Sequence, residues 1–146
     1  MNMTITAWAF AKLLVRDIPL CEALASQARR LITDMSTRNL ANFAWSFSNL
    51  AVVDTPLLHA IASSSLRTIR DFGAQGLSNT VWSFAKMAVP NGPLFEAISE
   101  ASLRTLSEYE SQNIANTAWS CAALLWRHEP LLAALSQAAI PRISQD

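Results

Sequence analysis

Apolar residues recur along this chain at helical spacing, and the pattern restarts every 37 residues. In the segment 75–90, Leu77, Val81, Phe84 and Met87 fall on one side of a helix wheel turning about 100° per residue. Gln75, Asn79, Ser83 and Lys86 fall on nearly the opposite side, with Trp82 at the edge of that polar stripe and the small residues Ser78 and Ala85 beyond it. The phrase returns as "LANFAWSFSNL" around Asn42 and Trp45 and as "QNIANTAWSCAALL" around Asn116 and Trp119. In "MTITAWAFAKL" Trp8 is kept and Ile5 stands where the asparagine would be. This spacing predicts one helix per unit, helix A, from about seven residues before each tryptophan to about six after it.

Proline marks a second helix, B, eleven residues after each tryptophan, at Pro19, Pro56, Pro93 and Pro130. A first helical turn tolerates proline because its missing N–H would be unpaired there. Asp17, Asp54 and Asn91 stand two residues earlier and are natural caps. Helix B is expected to end near Thr33, Arg70 and Ser107, followed by one apolar residue at each junction, Met35, Phe72 and Tyr109. No segment predicts a strand. The expected fold is all-α, an α-solenoid of four 37-residue helix-turn-helix repeats at about 1–37, 38–74, 75–111 and 112–146. These form a single domain over residues 1–146. Met1 already stands in register, since Asn2, Met3 and Thr6 match Asn113, Ile114 and Thr117, as in a stretch of a longer array. Pro141 is expected to interrupt the last B helix, and ends without a polar outer face predict end-to-end self-association.

Two roles are open to the recurring tryptophan. The small flanking residues favour a wedge between successive A helices, and an exposed stacking platform is the alternative. The recurring asparagine either bonds the backbone of the next unit or lines a groove and bonds a ligand.

Composition sharpens this picture. With 51% apolar and 15% charged residues, the chain folds around a core and is not disordered. Its apolar runs fall well short of the roughly 18 residues of a membrane-spanning helix, so no membrane partner is expected. Cys21 and Cys121 stand where other units carry Leu or Phe and read as small core residues, with a disulfide or metal pair as the alternative. Net charge is zero, which alone speaks against nucleic acid. The distribution points the other way. Windows 1–16, 38–53, 75–90 and 112–127 contain no acid, yet hold Lys12, Arg16, Arg38, Lys86 and Arg127. A phosphate backbone needs such a stripe, so the A helices are a candidate anionic-ligand face. The acid-free start with Lys12 and Arg16 would also suit an organellar presequence, but the repeat register accounts for it and no targeting peptide is expected.

Other motifs carry no chemistry. Asp71-Phe72-Gly73 spells the magnesium triplet of protein kinases, but the glycine-rich loop, the strand lysine and the catalytic loop are missing. Its counterparts Asp34-Met35-Ser36 and Glu108-Tyr109-Glu110 mark it as a junction. His59 is expected on the exposed side of helix B and His128 in a turn, neither with His or Cys ligands nearby. No nucleophile has a base at recognisable spacing, so the expectation is a protein without catalysis, metal or cofactor.

At "QNIANTAWSCAALL" and "GLSNTVWSFAKM", followed by "PLFEAISEASLRTLSEY", the chain resembles the octotricopeptide and heptatricopeptide repeat proteins, relatives of RAP-domain and FAST kinase-like organellar proteins. The resemblance covers essentially the whole chain, though no RAP domain follows the repeats. It implies an α-solenoid that binds single-stranded RNA, an organellar transcript or rRNA, in a mitochondrion or plastid. There it would act in transcript processing, stability or translation. RNA would lie on the A-helix face, against Asn42, Asn79 and Asn116, Ser46, Ser83 and Ser120, Asn49, and the cations Lys12, Arg16, Arg38, Lys86 and Arg127. A scaffold of the same architecture, gripping a partner peptide with those asparagines, is the alternative.

Overall fold

Each proline-led segment opens a helix with a side-chain cap, and the expected helices all form. The computed structural model describes residues 2–145, so the register argument from Met1 lies outside the described residues. Eight α-helices and no strand are present among them. The A segments are α1 (Met3–Leu13), α3 (Thr37–Asn49), α5 (Ala74–Lys86) and α7 (Ser111–Ala123). The B segments are α2 (Ile18–Leu31), α4 (Thr55–Arg67), α6 (Gly92–Thr105) and α8 (Glu129–Ile143). Odd helices pack on one another in chain order, even helices do the same, and each odd helix also packs on the even helix that follows it.

The caps fall where sequence placed them. Asp17, Asp54 and Asn91 accept from the N–H groups of Leu20, Leu57 and Leu94 at 2.9–3.0 Å. In α8 the same position holds His128, whose Nδ1 accepts from the Leu131 N–H at 3.2 Å. The B helices α2, α4 and α6 stop two or three residues before the expected ends and finish in 3₁₀ turns, Ile32–Asp34, Ile69–Asp71 and Leu106–Glu108. Phe72 and Tyr109 follow two of these turns and are buried; Met35 is half-buried.

Each A helix ends in a left-handed residue with no glycine to supply it. Leu14, Ala51, Ala88 and Leu125 have φ between 52° and 56°. The next residue turns back on the helix: the N–H of Val15, Val52, Val89 and Trp126 bonds the carbonyl of Phe10, Phe47, Phe84 and Cys121 at 2.8–3.0 Å. That is the Schellman closure, normally made with glycine because a Cβ is crowded at positive φ. Ala88→Gly is therefore expected to stabilise the protein by about 0.5–1 kcal/mol, the left-handed penalty less the entropy that glycine adds to the unfolded chain. Urea denaturation measures it; a loss of stability would show that Ala88 is unstrained.

The core lies between the two helix layers. Phe43, Phe47, Leu57, Ile61, Leu77, Phe84 and Leu94 are almost fully buried. Cys21 and Cys121 are free and buried, which raises both thiols above their ordinary range and leaves them unreactive core residues. Pro141 does not interrupt the last helix: α8 runs through it to Ile143. The proline stands in the final turn: it forgoes the one bond its own N–H would make to the Gln137 carbonyl, and only two helical residues follow it. The neighbouring Arg142 guanidinium donates to the carbonyls of Ala138 and Tyr109, tying that turn to the junction below. Exposed apolar groups gather at the two ends of the row of pairs, at Leu13, Leu14 and Val15 and at Leu125, Ile140 and Ile143.

Candidate functional site

An inner odd helix is covered on three sides, and this decides which of its polar residues reach solvent. On α5, Leu77 and Phe84 face the even layer. Ser78 Oγ accepts from Asn113 Nδ2 of α7 at 3.0 Å, so that flank faces α7. The opposite flank, with Thr80 and Ser83, faces α3 and is buried. Only a narrow stripe is left, Gln75, Asn79, Trp82 and Lys86, spaced so that all four point the same way. Matching stripes are Arg38, Asn42, Trp45 and Asn49 on α3, Ile5, Trp8 and Lys12 on α1, and Gln112, Asn116 and Trp119 on α7. Side by side they make a face with a row of asparagines beside a row of tryptophans.

Ser46, Ser83 and Ser120 leave the candidate set. All three are fully buried, and each hydroxyl donates to the carbonyl of Asn42, Asn79 or Asn116 one turn back, at 2.6–2.7 Å. A wheel read as half polar and half apolar puts them on the open side; packing of odd helices on both flanks closes that side to them.

The asparagines behave differently. Asn42 and Asn79 are half-buried, and among the described residues their side-chain amides have no hydrogen-bond partner. Asn116 Oδ1 accepts from Gln112 Nε2 at 2.9 Å. Asn42 and Asn79 line a cleft of about 640 Å³ that crosses α1, α3 and α5, with Ile5, Trp8, Arg38 and Gln75 on its walls. An amide presents one donor pair and one acceptor, so unpartnered amides in a cleft are equipped to bond a ligand edge.

The tryptophans divide by position: those on the two outermost odd helices are open, and those on the two inner ones are mostly covered between neighbouring odd helices, as the wedge reading expects. Trp8 and Trp119 are 45% and 49% exposed, while Trp45 and Trp82 are partly covered. Trp82 and Trp119 lie 6.4 Å apart between ring centroids, tilted by 43°. Lys12 Nζ stands 5.7 Å from the Trp8 ring and 5.9 Å from the Trp45 ring, and Lys86 Nζ lies 4.7 Å from the Trp82 ring. These indoles hold their cations by the charge–quadrupole attraction. Lys86 also donates to Asn49 Oδ1 at 3.4 Å, fixing Asn49 beneath it. Arg16 reaches the Ala51 carbonyl at 3.4 Å, and Arg38 is exposed on the cleft wall. Arg127 is the exception among the five cations, since Glu129 pairs with it at 2.9 Å.

One cluster was invisible in sequence. His128 Nε2 lies 3.5 Å from Glu96 Oε1 and 3.8 Å from Glu100 Oε1, uniting residues 28 and 32 positions apart. Because Nδ1 accepts from the Leu131 N–H, the neutral imidazole carries its proton on Nε2 and turns it toward the carboxylates. A metal ion would need that nitrogen's lone pair, so the cluster is a brace between α6 and α8. Trp126 stacks on the imidazole at 6.5 Å, and its indole N–H donates to Ser99 Oγ at 3.0 Å.

Fold and face together define an all-helical protein with an acid-free surface of amides, indoles and a few cations. The chain belongs to the family of the RNA-editing substrate-binding complex 6 protein, whose family model matches residues 2–145. A search of curated proteins finds no match.

Proposed function

We propose that this protein is an α-solenoid of four 37-residue helix-turn-helix units, one domain over residues 1–146, that holds single-stranded RNA along its odd-helix face. The observation that carries this reading is the pair of unpartnered amides, Asn42 and Asn79, opening onto a cleft in an acid-free face. Lys12, Arg16, Arg38 and Lys86 meet phosphates. Trp8 and Trp119, the most exposed indoles, offer π-faces to bases, and the amides meet base edges. The family's name describes an RNA-editing substrate-binding complex, which supports RNA or other complex subunits as partners. The resemblance to octotricopeptide proteins supports a role in transcript processing, stability or translation in a mitochondrion, one of the two organelles it implies. The site binds and presents RNA; no bond-making step is assigned to it.

Net charge zero favours a second reading, in which the same amides grip the backbone of an extended partner peptide. Photo-cross-linking separates the two. A random single-stranded RNA of about twelve nucleotides, a length in the range such grooves accommodate, is labelled with a photoreactive base. Cross-links mapping to α1, α3, α5 and α7, above all near the exposed Trp8 and Trp119, are the expected result. Cross-links confined to the even helices, or none at all, would turn the assignment to the peptide scaffold.

A further inference from the structure

The RNA reading leaves open which bases the face selects, and the geometry of the cleft bears on this. Asn42 and Asn79 occupy equivalent places on α3 and α5, 37 residues apart. Each is half-buried, and among the described residues neither amide has a partner. Each carries a tryptophan three residues on, Trp45 and Trp82, and a small residue immediately before it, Ala41 and Ser78. Both line the same cleft of about 640 Å³. An amide reads a base edge by pairing its donor and acceptor with an acceptor and donor on the base. The residues one turn back differ, Arg38 beside Asn42 and Gln75 beside Asn79, but the two amides are the same group at the same register and so favour the same edge.

Resting on the RNA reading above, we infer that this cleft is a specificity site for two adjacent identical nucleobases, one beneath Asn42 and one beneath Asn79. Helical repeats that read one base per unit form a code when their reading residues differ. Here the reading residue does not differ, so the code it spells is a run. The units on either side do not extend it at full strength. Ile5 in α1 has no polar atom in its side chain, and the Asn116 oxygen already accepts one bond, from Gln112, which leaves it a single free lone pair. The selected run is two bases, with a weaker preference at a third.

The test compares binding of the full chain to short homopolymers of A, C and U with binding to the strictly alternating sequences made from the same bases. One homopolymer is expected to bind about tenfold tighter than either alternating sequence that contains its base, the usual size of one lost base contact. Asn42→Ala and Asn79→Ala should each abolish that preference to a similar degree while the salt dependence of binding stays as in the parent. Alternating sequences that bind as tightly as the best homopolymer would overturn the inference and leave the RNA reading intact. An unchanged preference in Asn42→Ala with a lowered melting temperature would do the same, by showing the amide to be structural. Absence of any RNA binding would overturn both.

Discussion

Phe84→Ala is expected to remove about 3–5 kcal/mol of stability, the usual result of emptying a large aromatic site in a core. Phe84 is 1% exposed, points from α5 into the even layer and meets the Phe95 ring edge-on at 6.4 Å. Trp82→Ala, two residues away, should cost less, about 2–3 kcal/mol, because that indole is mostly covered but packs on Trp119 and Lys86 at the edge of the core and not within it. Denaturant melts of the two variants give the comparison. Equal losses would mean that Trp82 is as fully enclosed between α5 and α7 as Phe84 is beneath them.

The largest effect on binding is expected from Lys86→Glu. Lys86 is exposed, sits over Trp82 and lies within the acid-free stripe. Reversing its charge takes away one phosphate contact and sets a carboxylate beside the strand, two unit changes that together weaken affinity about tenfold at moderate salt. The loss should be the same for every RNA sequence, because phosphate contacts carry no base information. Lys86→Gln, which removes the charge without reversing it, should fall between parent and Lys86→Glu.

Which features were legible in the sequence follows from how local they are. Helix positions depend on short-range spacing, and the caps Asp17, Asp54 and Asn91 depend on a residue type two positions before a proline; both were readable. Three features depend on where a residue comes to lie in the folded chain and were not. Ser46, Ser83 and Ser120 look polar on a wheel, yet two flanking helices bury them. His128 looks like a turn residue, yet it caps α8 and faces Glu96 and Glu100 from another helix pair. Pro141 looks like a breaker, yet in a last turn it leaves α8 unbroken. The left-handed residues after the A helices were hidden for another reason: Leu14, Ala51, Ala88 and Leu125 supply a conformation whose usual signal is glycine. Of the candidate site, the asparagine row and its acid-free surroundings were visible in sequence, while the cleft they share was not.

The central claim, that the odd-helix face holds an RNA backbone, is tested most directly by the salt dependence of RNA affinity in the parent and in Lys86→Glu. Among the described residues four cations on the face have no acidic partner, Lys12, Arg16, Arg38 and Lys86, and each phosphate neutralised on a single strand contributes about 0.7 to the log–log slope. The parent should show a slope no steeper than about −3, and the variant a slope shallower by about 0.7 or more. An identical slope and affinity in Lys86→Glu would contradict the claim and move the RNA off this face.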